Sequence, residues 1–228
     1  MDRVKTGIAG LDEMLNGGIP ARRHVALYGG PGAGKTSLSF EFLYRGAKEG
    51  QNGLYISLEE TIDDIVDNMK NTFPMLTEID SLMKSKKLEI VKPDKFGMEE
   101  IASILEEKIT KNDVKRAIID SATMIRFSFK DDTDYRQTLF EFLSLLRGLD
   151  CTTITTLEAS TPRKEAMVFD IEHFVMDGII NLYNLDREER RIRALEIFKM
   201  RGTDHSRELV PFKVTPSGIK VYVGEKVF

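Results

Sequence analysis

The chain has 228 residues, 41% of them hydrophobic and 8% aromatic, and 37 acidic against 33 basic side chains give a formal net charge of −4. This balance argues against a protein whose whole surface binds nucleic acid, but it does not exclude a local basic patch. The single cysteine, Cys151, excludes an internal disulfide framework, and no apolar run is long enough to cross a bilayer, so we expect a cytoplasmic protein.

Apolar runs and amphipathic stretches alternate as far as Glu158, which is typical of a parallel sheet covered by helices. Strands are predicted at residues 24–28, 53–58, 88–91, 116–120 and 152–156. Helices are predicted at residues 35–48, at 61–71 with Thr61 as the N-cap, near 98–109 and near 139–146. The pattern therefore predicts an α/β fold with a mostly parallel sheet.

The character of the sequence changes after Glu158. Residues 159–172 are interpreted as a mobile loop. Residues 178–184 and 190–200 predict a β-hairpin, and residues 212–215 and 219–223 predict a second one around a Pro-Ser-Gly turn. Because there is no linker and no repeat, the interpretation is one domain over residues 1–228, with antiparallel hairpins after the α/β core.

A complete phosphate-binding loop follows the first predicted strand: Gly29-Gly30-Pro31-Gly32-Ala33-Gly34-Lys35-Thr36. Its glycines let successive backbone N–H groups point inward, and the helix that begins near Lys35 adds the positive end of its dipole. A chance match arises in roughly one chain of this length per hundred. We therefore expect ATP and Mg²⁺ as cofactors, with Lys35 on the β- and γ-phosphates and the Thr36 hydroxyl on Mg²⁺. The predicted nucleotide-binding residues of this loop are Gly30, Pro31, Gly32, Ala33, Gly34, Lys35, Thr36 and Ser37.

Carboxylates follow two of the predicted strands. Asp120 closes the apolar run of residues 117–119 and is predicted to hold Mg²⁺ through water; the alternative is that it only caps a turn. Ser121 follows Asp120, so a base for hydrolysis must come from elsewhere. Glu59 and Glu60 end the preceding strand at the same edge of the sheet, and Glu59 is the predicted base with Glu60 as its auxiliary. The alternative is that both glutamates only favour a helix dipole.

Several motifs in a fixed order resemble one domain of the KaiC family, within the RecA-type ATPases. They are Gly7-Ile8-Ala9-Gly10-Leu11-Asp12, Gly17-Gly18-Ile19-Pro20, the phosphate loop, Ser57-Leu58-Glu59-Glu60-Thr61, Ile119-Asp120-Ser121 and Lys199-Met200-Arg201-Gly202-Thr203. The resemblance runs from about Val4 to Val223 and is to a single domain, as in short KaiC-like ATPases of archaea. It implies a RecA-like P-loop core and a ring, usually a hexamer, with ATP held between neighbouring subunits.

The resemblance also implies roles for residues near the end of the second long hairpin strand. Lys199 and Arg201 match residues that reach the next subunit's γ-phosphate, and Thr203 and His205 match residues that line the same interface. Independently, strand alternation predicts one basic face formed by Arg191, Arg193, Lys199 and Arg201. A solvated hairpin face is the plain alternative. With the resemblance, Arg201 becomes the candidate arginine finger supplied in trans.

The chain also departs from the family pattern. His173 and Phe174 stand where the autophosphorylating domain has adjacent Ser and Thr, so autokinase activity is not expected. Arg22 stands where the family usually has glycine. The three histidines have no metal-ligand spacing, and Cys151 is expected to be a small buried residue.

Three functions fit these residues. The first is an oligomeric ATPase that drives or times a conformational change or regulates an unidentified protein partner. The second is an ATP-gated assembly scaffold with little turnover. The third and least favoured is a DNA-binding, recombinase-like ATPase, for which Arg163 and Lys164 in residues 159–172 supply the basic charge.

Overall fold

A computed structural model describes residues 2–159, 169–187 and 190–227. Most of the segment interpreted as a mobile loop, including Arg163 and Lys164, lies outside the described residues. The loop interpretation was wrong for its last two residues, because Ile171 and Glu172 begin a short helix.

Eleven strands are described. They are β1 (Arg3–Val4), β2 (Ile19–Pro20), β3 (His24–Gly29), β4 (Asn52–Ser57), β5 (Leu88–Val91), β6 (Val114–Asp120), β7 (Thr152–Glu158), β8 (Gly178–Arg187), β9 (Arg190–Met200), β10 (Val210–Thr215) and β11 (Gly218–Val221). The eight described helices are α1 (Leu11–Met14), α2 (Lys35–Lys48), α3 (Ile62–Thr72), α4 (Ile79–Lys84), α5 (Met98–Asn112), α6 (Thr123–Arg126), α7 (Asp132–Arg147) and α8 (Ile171–Val175).

Nine of these strands form one sheet in the order β11-β10-β9-β8-β3-β7-β6-β4-β5. Strands β8, β3, β7, β6, β4 and β5 run parallel, and β9, β10 and β11 extend the sheet in antiparallel fashion. The α/β class with a mostly parallel sheet and antiparallel C-terminal strands is therefore confirmed. The resemblance implied a RecA-like core, and this architecture is consistent with it.

Helices cover both faces of the sheet. Alternation along β3 places Val25 and Leu27 on the face that α2, α3 and α4 cover, and Ala26 and Tyr28 on the face that α5 and α7 cover. Two large apolar clusters result, one on each face. Parallel strands that are buried on both sides are expected to read as continuous apolar runs, and this is why the sequence predicts them well.

The phosphate loop lies at the carboxyl ends of the parallel strands, and the end of β9 lies at their amino ends. Gly29, at the carboxyl end of β3, pairs with Leu182 of β8, whereas Val25 near its amino end pairs with Gly178. Gly178 in turn pairs with Met200 of the antiparallel β9. The four residues from Val25 to Gly29 span about 13 Å of strand. The segment from Met200 onward is thus displaced by at least this distance from the loop that follows Gly29.

A β-bulge in β9 overturns the prediction of one basic face. Ile179 pairs with Lys199 and Ile180 pairs with Ile197, so Phe198 is an extra residue in the ladder. One inserted residue moves every later side chain to the other face of the strand. Lys199 therefore lies on the α8 side of the sheet, whereas Arg193 donates to the Gly32 carbonyl oxygen on the α2 side.

Two features of the sequence have local explanations. Arg22 has a φ of 60°, in the left-handed region that favours glycine, so the glycine expected there from the family has a backbone reason. Cys151 is buried as expected, and burial raises the pKa of its thiol to about 12.

Over the three described ranges, no helix has the length and apolar character needed to span a bilayer. The same ranges hold no group of three or more His, Cys, Asp and Glu side chains that could hold a metal ion.

Candidate functional site

The phosphate loop connects β3 to α2. Gly32 and Gly34 have φ values of 73° and 101°, which L side chains rarely adopt, and Gly34 is the N-cap of α2. These two left-handed residues curl the chain between Gly29 and Lys35, as a phosphate-binding loop requires. The first turn of α2 has no acidic side chain, so its positive dipole end stays available to an anion.

Lys35 folds over this loop. Its Nζ donates to the carbonyl oxygens of Gly29, at 2.8 Å, and Gly30, at 3.4 Å. Burial lowers the pKa of Lys35, and the carboxylates of Glu158, Asp120 and Glu59 act in the opposite direction. The ammonium is thus held beside the loop by weak carbonyl acceptors that an anionic ligand would outcompete.

Asp120 accepts hydrogen bonds from three hydroxyl groups. Thr36 Oγ1 donates to Oδ2 at 2.9 Å, Tyr55 also donates to Oδ2, and Thr156 donates to Oδ1. Tyr55 is fully buried, and this burial raises the pKa of its hydroxyl well above the ordinary value, so Tyr55 stays a donor. The carboxylate is therefore held in one orientation beside the Thr36 hydroxyl.

Glu59 and Glu60 lie in the turn between β4 and α3. One cavity is lined by Lys35, Thr36, Ser57, Glu59, Glu60, Asp120, Ser121 and Glu158. Glu60 is half-buried and its Oε2 accepts from Asn68 Nδ2 at 3.0 Å, whereas Glu59 is exposed. Thr61 caps α3 as predicted, by accepting from the Asp64 backbone N–H. The cap fixes the turn that carries both glutamates.

Glu158 is a member of this cavity that the sequence reasoning missed. It ends β7 and pairs with Gly29, and its backbone N–H donates to Thr123 Oγ1 at 2.9 Å. The signal was present, because Glu158 ends a buried strand in the same way as Asp120. Tyr55 and Thr156 were also missed; each carries a hydroxyl within a strand that is otherwise packed into the core.

The four residues that the resemblance placed at an interface lie together. Lys199, Arg201, Thr203 and His205 line one groove with Phe198, Asp204 and Arg207 among its other walls. Lys199 Nζ donates to the carbonyl oxygens of His173, at 2.9 Å, and Met176, at 2.8 Å. Arg201 donates to the Phe174 carbonyl oxygen at 2.8 Å. This groove is at the amino edge of the parallel strands, so the structure does not bring it to the phosphate loop of the same chain.

Asp177 is a buried carboxylate beneath this groove. Its Oδ1 lies 3.8 Å from Arg23, 3.5 Å from Arg147 and 3.8 Å from Arg201, and the side chain is 2% exposed. Arg201 keeps 47% of its side chain exposed. The guanidinium is therefore anchored on its own subunit and still accessible to a second molecule.

Comparison with known proteins places the chain among relatives of one family. The family model described as "ATPase: KaiC" matches residues 4–226. A UPF0273 protein of Thermotoga maritima is 36% identical over 98% of this chain and 97% of its own length. A UPF0273 protein of Pyrococcus horikoshii is 37% identical over 96% of this chain and 94% of its own length. The circadian clock oscillator protein KaiC of a Picosynechococcus species is 33% identical over 97% of this chain but only 45% of its own length.

Proposed function

Since the chain belongs to the family of KaiC-type ATPase domains, we propose that it is an oligomeric ATPase that binds and hydrolyses Mg-ATP at subunit interfaces. Hydrolysis would drive or time a conformational change or regulate a partner. The observation that carries the proposal is the convergence of Lys35, Thr36, Glu59, Glu60 and Asp120 on one cavity next to the phosphate loop.

The phosphate loop and its neighbours fit a magnesium nucleotide. The loop amides and Lys35 bind the β- and γ-phosphates. The Thr36 hydroxyl and the Asp120 carboxylate, 2.9 Å apart, are oxygen ligands of the kind that Mg²⁺ takes, with Asp120 acting through water. When bound, Mg²⁺ neutralises charge on the phosphate oxygens.

Glu59 is the proposed base. Glu59 is exposed at the cavity, whereas the carboxylate of Glu60 is occupied by a hydrogen bond from Asn68. Glu59 accepts a proton from the attacking water, while Glu60 supports the turn and the negative potential around it. His173 and Phe174 carry no hydroxyl group, so transfer of phosphate to this segment is not proposed.

The remaining cations are proposed to come from a neighbouring subunit. Lys199 and Arg201 lie at the edge of the sheet opposite to their own phosphate loop, so they would serve the loop of another copy. The two surfaces have complementary charge: the nucleotide cavity carries Glu59, Glu60 and Glu158, and the groove also carries Arg207. Thr203 and His205 then line the interface, and repeated head-to-tail contact forms a ring for which the resemblance implies six subunits.

Mixing two inactive variants tests the proposal. Glu59→Gln/Glu60→Gln removes the base, and we expect about a hundredfold or greater loss of phosphate release. Arg201→Ala removes the finger, and we expect about a thousandfold loss. In mixed assemblies, sites with an intact loop and an intact neighbour recover activity. Equal phosphate release from wild type and the double variant would overturn the ATPase assignment.

Mass measurement with and without ATP separates the alternatives. Rings that form in ATP but release no phosphate over hours would support an ATP-gated scaffold. Binding to single-stranded DNA that falls steeply with salt would support the recombinase-like function. Phosphate release coupled to assembly, without DNA binding at low salt, supports the proposed ATPase.

A further inference from the structure

Helix α8 lies between the chain's own phosphate loop and the two cations that the proposed function assigns to a neighbour's nucleotide. The carbonyl oxygens of His173, Phe174 and Met176, at the C-terminal end of α8, accept from Lys199 and Arg201. Free carbonyl oxygens at a helix C-terminus attract cations, so the C-terminal end of α8 positions the side chains of Lys199 and Arg201. Any shift of α8 would move the two cations together.

A buried carboxylate anchors α8. Glu172 is 1% exposed, and it accepts hydrogen bonds from the hydroxyl groups of Tyr135 and Tyr28, the latter at 3.3 Å. Arg126 Nη1 lies 3.7 Å from its Oε2. A buried carboxylate is stable only with such partners. The contacts of Glu172 with these partners therefore hold α8 in place. The helix is a short one, Ile171–Val175, so this cluster fixes most of its length.

The partners of Glu172 belong to elements of the chain's own nucleotide site. Tyr28 immediately precedes Gly29 of the phosphate loop. Arg126 ends α6, whose first residue, Thr123, accepts the backbone N–H of Glu158. Glu172 therefore joins the elements around one nucleotide to the helix that presents Lys199 and Arg201 to another.

We propose that Glu172 is a positioning residue for ATP hydrolysis that acts through α8 on Lys199 and Arg201, and thus on the nucleotide of the neighbouring subunit. This inference rests on the proposed function. Glu172 does not line the nucleotide cavity of its own chain, so we expect its substitution to leave Lys35, Asp120 and Glu59 in place and to affect the groove that the subunit offers.

The test uses Glu172→Gln with a matched control. Glu41 is also fully buried and accepts from Arg45 and from the Ile219 backbone N–H, on the opposite side of the sheet. Glu41→Gln thus removes a buried charge of the same kind without touching α8. We expect Glu172→Gln to lower kcat about tenfold to a hundredfold, as small misplacements of catalytic groups do, and Glu41→Gln to leave kcat within about twofold. Equal kcat for the two variants would overturn the proposal.

Mixed assemblies then show on which nucleotide Glu172 acts. Glu172→Gln mixed with Glu59→Gln/Glu60→Gln should recover activity, because the double variant supplies intact Lys199 and Arg201 to intact loops. Glu172→Gln mixed with Arg201→Ala should not recover, because both variants lack a correctly placed finger. The reverse pattern would show that Glu172 acts on its own phosphate loop and would overturn the proposal.

Amide hydrogen exchange tests whether Glu172 positions α8 without relying on ATP hydrolysis. The backbone N–H of Met176 donates to the backbone carbonyl oxygen of Glu172, and that of Arg201 donates to the backbone carbonyl oxygen of Asp177. Both amides should exchange about tenfold faster in Glu172→Gln than in wild type, and Glu41→Gln should not change them. Unchanged exchange would refute the positioning role even if the protein hydrolyses ATP. If exchange rises but wild type releases no phosphate, the proposed function fails and the anchoring of both cations stands.

Discussion

Three hydroxyl groups give Asp120 an orientation that a carboxylate at a strand end would not have alone. Thr36 is also a proposed magnesium ligand, while Tyr55 and Thr156 approach the carboxylate from neighbouring strands. Changing a group that hydrogen-bonds to a metal-site carboxylate typically lowers metal affinity or activity about tenfold to a hundredfold. Tyr55 lies wholly in the core, so its contribution can be separated from any contact with the nucleotide.

Tyr55→Phe should weaken the magnesium site without disturbing the core. The phenyl ring fills the same space, and the lost hydroxyl leaves Asp120 with two donors instead of three. We expect the Mg²⁺ concentration needed for half-maximal phosphate release to rise about tenfold. Tyr44→Phe is the control, because Tyr44 is equally buried on α2 and its ring lies against the charged groups of Arg45 and Lys48 and not against Asp120. An unchanged Mg²⁺ requirement in Tyr55→Phe would contradict this role.

At the scale of the element, β3 is held at one end by its glycine loop and at the other by a polar cluster. His24 begins the strand, is 1% exposed and lies 2.9 Å, through Nδ1, from the Thr153 hydroxyl. Its backbone N–H donates to Asp177. Burial lowers the pKa of His24 to about 4, against the opposing charge of Asp177 and with the help of Arg147 and Arg23.

His24 should make the fold sensitive to acid. The unfolded chain takes up a proton near pH 6.5 and the folded chain only near pH 4, so the unfolded state binds more protons between these values. The contribution of neutral, buried His24 to the free energy of unfolding is therefore complete above pH 6.5 and is lost as the pH falls towards 4. We expect the free energy of unfolding to drop by about 2 kcal/mol more between pH 7 and pH 5 in wild type than in His24→Gln. Urea unfolding at both pH values measures this, and parallel losses in the two proteins would contradict it.

The elements differ in how far the sequence predicts them. Buried parallel strands such as β3 and β6 show apolar runs, and α3 shows its Thr61 cap, so their type and place follow from local chemistry. Strands β1 and β2 have two residues each and α1 has four, too few for any periodicity. The bulge at Phe198 was also missed, since it depends on pairing with β8, and this error put Lys199 on the wrong face.

The site shows the same limit. The phosphate loop, Asp120 and the two glutamates are recognisable because each is a local motif at a strand end. Tyr55 and Thr156 are not, because their hydroxyl groups meet Asp120 only when separate strands are aligned in the sheet. Their roles depend on tertiary neighbours that no spacing in the sequence encodes.

At the scale of the whole molecule, charge is divided between two opposite edges. The nucleotide cavity is lined by four acidic side chains and one basic one, whereas the groove beyond β9 is lined by three basic and two acidic ones, with Arg201 and Arg207 exposed. Surfaces of opposite charge favour encounter between copies of one chain and suppress contact between like edges. The net charge of −4 gives no hint of this division.

Assembly in ATP should therefore depend on charge in the groove. Arg207→Glu reverses a charge at the proposed interface, and we expect it to weaken ATP-dependent assembly at least about tenfold. Arg191→Glu is the control, because Arg191 is exposed at the end of the β8–β9 hairpin that lies far from the groove, and among the described residues it forms an ion pair with exposed Asp186. Light scattering over a concentration series measures the effect. Identical assembly of the two variants would argue against this interface.

The opposite placement of the phosphate loop and Arg201 has a consequence for any assembly built from this chain. Under the proposed function, each subunit would hold one nucleotide at its front and complete a neighbour's at its back, so contacts between subunits would be front to back. A pair related by a two-fold axis would leave at least one kind of surface unused, whereas a closed circle would use both kinds everywhere. Such a circle has a polarity. If α8 acts as proposed, a change that starts at one nucleotide would pass to one neighbour and not to the other, which would give the assembly a built-in sense of direction.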